Sequence, residues 1–553
     1  MKNTEQKTWQ IILRIGFIGG VVAFYFCVIG MVETFSLRNL IGDLLSMGDV
    51  LLATGSLGAG YLTAREFKDK TKTRRVLGSM GSGFVSSILL VLLVFIQQNF
   101  PGIRNMFINV SPALTNILTF GMGPGLGTVV FMVYFALLGG LVAAYTLLPN
   151  KIGVSLLGGL IVTLGIGLFS ENVSQIIQQV FGRGLVRIVF QYKALNPIAA
   201  LIIFILTFAI IYFGVARKAK ARWSELPPNR QKQGRSALIV VLILFLIILP
   251  WMVGIFLSQA LFIVGYYVIL GLGLNIVVGY AGLLDLGYVA FFAFGAYVMG
   301  VLTSTGPLGL GLNFWVALPF CVLAGVLWGV LLGFPVLRMR GDYLAIVTLG
   351  FGEIIRILAL SDWFAPFEGG AQGVLHIPNP VIFGLQLNTP QTMYYLVVLG
   401  ALLAAFVTIR LREARLGRQW MALREDEDVA EAMGINLVST KLLAFAIGAA
   451  FSALAGGIFA ARLGNIFPHS FNLLISINAL AIIIVGGLGS IPGVVVGALI
   501  LVGLPELLRE FTEYRLLMYG FLLIIMMLVK PEGFIPEATR KRELHTREEE
   551  FAE

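Results

Sequence analysis

Charge is what this sequence has least of. Only 12% of its 553 residues are Asp, Glu, Lys or Arg, against about 25% in an ordinary soluble domain. A water-facing surface cannot be built from so few. Histidine and cysteine are rarer, with three and two residues. Cys27 and Cys321 lie in separate apolar runs, so no disulfide framework and no zinc spacing is available. His376 and His469 fall in polar loops and His545 in the tail. No His/Cys/carboxylate cluster has metal-ligand spacing, and no metal site is expected. No G-x-x-x-x-G-K-[ST] phosphate loop occurs either. GPGLGTVV (123–130) has the glycines without the lysine, so the chain is not expected to bind ATP itself. No catalytic constellation stands out.

What fills the space is apolar. Hydrophobic residues make up 58% of the chain, and its mean hydropathy is +0.91. Runs of about 18–25 apolar residues recur from end to end, each long enough to cross a bilayer as a helix. The strands of a β-barrel would alternate over shorter stretches. The expected fold class is all-α, an integral polytopic helical membrane protein. Spans are predicted at roughly 9–32, 39–63, 76–97, 126–147, 151–170 and 195–214. A second group is predicted at about 237–254, 258–279, 284–303, 314–336, 343–360, 393–410, 441–462, 471–488, 493–510 and 513–529. That makes about 16, six before residue 220 and ten after. The first run is too long for a signal-peptide core and reads as the first span.

The formal charge of +10 reports orientation in such a protein, because Lys and Arg stay on the cytoplasmic side. Nucleic-acid binding is the weaker reading. TAREFKDKTKTRR (63–75) holds six basic residues and the linker ARKAKARWSELPPNRQKQGR (216–235) holds seven. RMRGD (338–342), the 410–441 segment and KPEGFIPEATRKR (530–542) are also basic or charge-rich. An even number of predicted spans separates each from the next, so all of them and both termini can be cytoplasmic. The loops 98–125 and 361–392 then fall outside. The linker, with Pro227 and Pro228, divides the chain. The expected domains are 1–215, the linker 216–236, 237–530 and a charged tail 531–553.

Ionisable groups inside apolar runs are functional candidates because they are costly there. Glu353 and Arg356 are three apart on one helix and can pair, or act in a pathway or gate. Asp285, in GLLDLGYVAFF, can cap a helix at the membrane surface or line a cavity. Asp43 and Asp49 are assigned to the second span, with Asp43 near the interface. In GGLGSIPGVVVGALILVG (486–503), Gly489, Gly493 and Gly497 recur every four residues, a close-packing pattern. Gly486, Gly487 and Pro492 break the helix there, giving a tight turn or a broken helix facing a pathway.

The stretch LREDEDVAEAMGIN (423–436) puts six charges into fourteen positions. Trp420, Leu423, Ala430 and Met433 are spaced to share one helical face, interrupted by Glu427. Ala430, Ala432 and Gly434 are small, and Gly434 suits a helix C-terminus. Such a helix either docks a cytoplasmic partner or is simply solvated.

LNIVVGYAGLLDLGYVAFFAFGAYV (274–298), RMRGDYLAIVTLGFGEIIRIL (338–358), LGRQWMALREDEDVAEAMGINLVSTKLLAFAIGAAFSALAGGIFA (416–460), IIIVGGLGSIPGVVVGALIL (482–501) and KPEGFI (530–535) together resemble the LivM-type permease subunits of ABC importers for branched-chain amino acids. The resemblance covers about residues 240–536. It implies a helical permease in the bacterial plasma (inner) membrane, working by alternating access. No cofactor would bind this chain, and ATP and magnesium would sit on a partner. The implied partners are ATP-binding subunits, a second LivH-like permease, a periplasmic or surface binding protein, and membrane lipid. Arg424, Glu425, Asp426, Glu427, Ala430, Ala432, Gly434 and Lys441 match the family's coupling loop. Urea or short amides are alternative cargoes. An ion-coupled secondary transporter is a further alternative, but Asp43, Asp49, Asp285 and Glu353 show no repeat pattern. The six extra N-terminal spans depart from the family. GDLLSMGDVLLATGSLGAGYL (42–62) faintly echoes LLDLGYVAFFAFGAYVM (283–299), which raises a fused partner permease, with an accessory membrane domain as the favoured reading.

Overall fold

Lipid offers no hydrogen bonds to a backbone, so apolar runs of this length must satisfy their own amides as helices. The computed structural model describes residues 2–100, 102, 107–214, 227–307, 309–336, 339, 341–382, 384–507 and 514–536. Most of the linker 216–226, Arg338 and Arg340 of RMRGD, and the tail from 537 with His545 lie outside the described residues. The chain is all-α. Among the described residues ten helices are long and apolar enough to cross a membrane, and four shorter apolar ones span Pro197–Tyr212, Val289–Thr303, Ile491–Leu507 and Tyr519–Val529. Two compact units divide at Leu242/Ile243.

The N-terminal unit contains α1 (Lys2–Val28), α2 (Met31–Ser36), β1 (Asn39–Ile41), β2 (Leu45–Ser46), α3 (Met47–Glu66) and α4 (Lys72–Asn99). It continues with α5 (Pro112–Leu118), α6 (Pro124–Thr146), α7 (Asn150–Leu168), α8 (Ser170–Phe181), α9 (Arg183–Val189), β3 (Phe190–Gln191), β4 (Ala194–Leu195) and α10 (Pro197–Tyr212). α1, α3, α4 and α6 pack against one another through small residues. Gly60 lies 2.8 Å from Gly139 Cα as measured from an ideal Cβ, and Ser56 Oγ donates to Phe135 O at 2.6 Å. Two expectations change here. The second span starts at Met47 rather than 39, because residues 39–46 form strands in a small sheet ordered β2-β1-β4-β3. Asp43 and Asp49 are therefore not spaced along a span. Asp43 accepts from Asn39 Nδ2 at 3.0 Å in the strand turn, and Asp49 forms a capping box with Ser46 at the start of α3. The loop after residue 169 also holds structure the periodicity did not announce. There Glu171 of α8 binds Arg38 at 3.3 Å and Lys193 at 2.8 Å.

The C-terminal unit opens within α11 (Pro228–Leu274), which breaks at Gly254 (φ +81°), and a π-helical turn follows at Asn275–Tyr280. Then come α12 (Val289–Thr303), α13 (Phe314–Val336), α14 (Asp342–Leu360), α15 (Ala365–Glu368), β5 (Val381–Ile382), β6 (Leu385–Gln386) and α16 (Pro390–Glu413). The rest is α17 (Arg415–Glu425), α18 (Glu427–Ala432), α19 (Leu437–Leu463), α20 (Leu473–Gly486), α21 (Ile491–Ala498) with a π-turn at Leu499–Gly503, α22 (Leu504–Leu507) and α23 (Arg515–Val529). α12, α13 and α19 form the centre. Gly295 faces the Ala453 carbonyl and Gly456 the Phe292 carbonyl so closely that a Cβ at either would clash.

Loop contacts sort the unit into two ends. At one end Val374 pairs with Ile466, Ile377 N–H donates to Gly464 O at 2.8 Å and Thr305 N–H to His376 O at 3.1 Å. At the other end Gly489 N–H donates to Asn275 Oδ1 at 2.9 Å, Arg424 Nη1 to Gly279 O at 2.7 Å and Ile535 N–H to Gly486 O at 3.0 Å. Residues 275–282, 424, 486–489 and 534–535 therefore share one end.

Candidate functional site

That shared end contains a helix break. Between the π-turn and α12, residues 282–287 leave the helix, which in a membrane protein is tolerated only where other groups satisfy the backbone. They do so here from several helices. Leu286 N–H donates to Thr348 Oγ1 of α14 at 3.0 Å, Gly287 N–H to Asp285 Oδ1 at 2.9 Å and Val289 N–H to Ser476 Oγ of α20 at 2.9 Å. Ser452 Oγ of α19 donates to Tyr288 O at 3.2 Å, and Tyr288 Oη donates to Gly448 O at 2.8 Å. Asp285 is 1% exposed and faces a cavity of about 90 Å³ with Thr348 and Phe291. It is not a cap at the membrane surface, because the residue preceding α12 is Tyr288, without a side-chain cap. Thr348, Ser452 and Ser476 escaped the sequence reading. Their signal is a lone hydroxyl in an apolar run, which in lipid must find a partner.

Against the tip of this break lies an elbow of two helices. α17 and α18 do not form one helix. Asp426 (φ −158°, ψ 117°) interrupts them and caps α18, accepting from Asp428 N–H at 2.9 Å and Val429 N–H at 3.0 Å. The expected single face therefore splits. Trp420, Leu423 and Ala430 are buried, and Trp420 Nε1 donates to Thr440 O at 2.9 Å. Met433 instead is 79% exposed, beside Val429 at 58%. α18 ends at Gly434 (φ +84°), with Ile435 N–H on Ala430 O and Gly434 N–H on Glu431 O, the double closure a glycine permits.

The charges divide in the same way. Lys441 Nζ, on a side chain 5% exposed, binds Glu427 Oε2 at 2.7 Å. Arg424 turns inward to Gly279 O, and Gly282 (φ +72°) brings the broken segment within 3.2 Å of Arg424 Cα, measured from an ideal Cβ. Glu425, Asp428, Glu431 and Ala432 are exposed. Arg424, Asp426, Glu427 and Lys441 thus hold the elbow together and onto the unit, while Val429, Ala432 and Met433 leave an apolar ridge uncovered.

The glycine stretch forms a hairpin beside it. Gly486 of α20 and Gly493 of α21 face each other's carbonyls, and Gly497 faces Ile482 O. Ser490 caps α21, accepting from Gly493 N–H at 3.1 Å, and Pro492 stands in its first turn. Gly487 (φ +117°) and Gly489 (φ +82°) make the turn. Glu353 and Arg356 form an ion pair on α14, with Nη2 and Nε both 2.8 Å from Oε2. They lie apart from the elbow. Among the described residues no group of three metal-ligating side chains gathers.

The family described as branched-chain amino acid transport system / permease component matches residues 256–529. The high-affinity branched-chain amino acid transport system permease protein LivM of Salmonella typhimurium is 44% identical over 293 residues, 49% of this chain and 68% of the relative. The chain belongs to the LivM-type permease family. LivM of Escherichia coli K12 matches to the same extent. Its LivH is 28% identical over 292 residues, 49% of this chain and 91% of the relative. No solved structure matches. The LivM-type match includes the break, the elbow and the glycine hairpin, all inside the C-terminal unit.

Proposed function

We propose that this chain is one permease subunit of an ATP-driven importer that moves branched-chain amino acids inward, the cargo class named for its LivM and LivH relatives. The observation that carries the mechanism is the exposed ridge of Val429, Ala432 and Met433 on an elbow whose other side is bolted inward. An ATP-binding subunit covers that ridge, with ATP and magnesium on the partner. The elbow and both termini face the cytoplasm of a bacterial plasma membrane. A second, LivH-like permease completes the path, and a periplasmic or surface binding protein delivers cargo. ATP closes the two ATP-binding subunits, their motion displaces the elbow, and Arg424 passes it to Gly279 of the π-turn and so to the broken segment that follows, opening the path outward.

The test is the Val429→Asp/Met433→Asp chain in the reconstituted assembly. Uptake should fall at least about tenfold, the scale of losing anchors at an interface centre. The amount of folded chain in the membrane should not change, since both side chains are already exposed. Wild-type uptake in that variant would remove the ridge from the coupling path.

A further inference from the structure

A second feature of the C-terminal unit points to where cargo pauses. α11, α20 and α23 enclose a cavity of about 320 Å³, open on one side, at the small end of the range for small-molecule sites, about 300–1,000 Å³. Ser470 and Asn472, on the loop end that holds Gly464, line it together with Tyr267, two helical turns before the π-turn at Asn275. Its wall has two chemistries. Asn478 Nδ2 donates to Tyr267 Oη at 3.2 Å. The Tyr519 Oη is buried and without a hydrogen-bond partner among the described residues. Glu506 lines the same space and makes no ion pair among the described residues. Ile263, Leu501 and Val502 line it as well, one helical turn from Tyr267 and Glu506. Leu501 and Val502 belong to the π-turn Leu499–Gly503, a distortion that recurs at functional sites.

This pattern matches one ligand class. A carboxylate oxygen suits the Tyr519 hydroxyl and the Asn478 amide as donors. An ammonium group suits the Glu506 carboxylate, which otherwise stands within an apolar unit at a cost. A branched aliphatic side chain suits Ile263, Leu501 and Val502. Just toward the loop end that holds Gly464, one turn from Phe459 and Ile263, Arg462 Nη2 donates to Gln259 Oε1 at 2.8 Å. We infer that this cavity is a transit site for a zwitterionic amino acid with a short branched side chain. The inference rests on the permease reading above and adds to it a place and a basis of selection within this subunit.

Selection is the property to measure, because a folding defect lowers uptake of every cargo alike while a lost contact changes their ratio. The wild-type chain and a Leu501→Phe chain are reconstituted with the same ATP-binding, permease and binding-protein subunits, and leucine and valine uptake are compared. Leu501→Phe narrows the apolar side, so the leucine-to-valine uptake ratio should fall by about threefold or more, the scale on which a pocket resolves one methylene. If Leu501→Phe gives no folded chain, Val502→Ala reads the same contact from the other side and should raise the ratio. Glu506→Gln should reduce uptake of both cargoes and Glu506→Asp should restore part of it. A ratio unchanged in the folded variant overturns the transit site while leaving the permease reading intact. Wild-type assemblies that move neither cargo overturn both.

Discussion

Hydroxyl side chains of the two units bond differently at the places where their helices meet. In the N-terminal unit they bond carbonyls of intact helices, locally or, as at Ser56 and Ser79, across a helix contact, whereas in the C-terminal unit three of them serve a broken one. In the N-terminal unit Ser82 Oγ, Ser86 Oγ and Ser87 Oγ each donate to the carbonyl three residues back on α4. They close local bonds on an intact helix, and their value is their small size where α1, α3 and α6 cross. In the C-terminal unit Thr348, Ser452 and Ser476 reach across to another helix and satisfy the backbone of a break. The first arrangement is static packing. The second holds a non-helical segment between two apolar helices and ties the π-turn beside it, through Gly279 and Arg424, to the elbow. The LivM-type match covers the unit with the break and stops short of the one without it.

The contrast is tested most severely at Lys441. Its ammonium is buried against Glu427, and removing one partner of a buried pair costs about 3–5 kcal/mol. Lys441→Met should therefore lower the thermal midpoint of the purified chain in detergent sharply and deplete it from the membrane. The Glu427→Met/Lys441→Met double variant should recover most of the loss, because no charge is left alone. A single variant as stable as wild type would mean that the elbow is not bolted by this pair. Substitution at Glu427 or Lys441 is thus a test of folding, whereas Val429 and Met433 test docking.

Much of this was legible in the residues. Run length gave the helices, and the even spacing of basic loops agrees with the gathering of residues 275–282, 424 and 486–489 at one end. Gly434 and the 486–493 glycines announced turns because few other residues tolerate those backbone angles. The direction each charge takes was not legible. Arg424, Glu427 and Lys441 read as surface charges beside Glu425 and Asp428, since sequence does not show that Asp426 interrupts the helix and turns Met433 outward. Asp285 was legible only as a choice between a cap and a cavity wall, and the cavity it lines becomes visible once Thr348 and Phe291 are seen beside it. The strands at 39–46 were hidden because they are only two and three residues long and the second partner of β1 is β4, far along the chain at 194–195.

The smaller effects sharpen the comparison. Asn275 is fully buried and accepts from Gly489 N–H, tying the π-turn to the glycine hairpin. Asn275→Leu leaves that amide without a partner, a cost of about 1–3 kcal/mol, and should show as a lowered thermal midpoint and reduced uptake together. Ser86→Ala removes only a local bond from an already bonded carbonyl on α4, and polar contacts of this kind in membranes average about 0.6 kcal/mol. Its midpoint should barely move. The pair of substitutions is informative because each deletes one polar side chain of 0% exposure, so burial alone predicts similar losses. If Ser86→Ala proved as costly as Asn275→Leu, the hydroxyls of the N-terminal unit would carry more than packing, and the assignment of the polar break to one unit would have to be withdrawn.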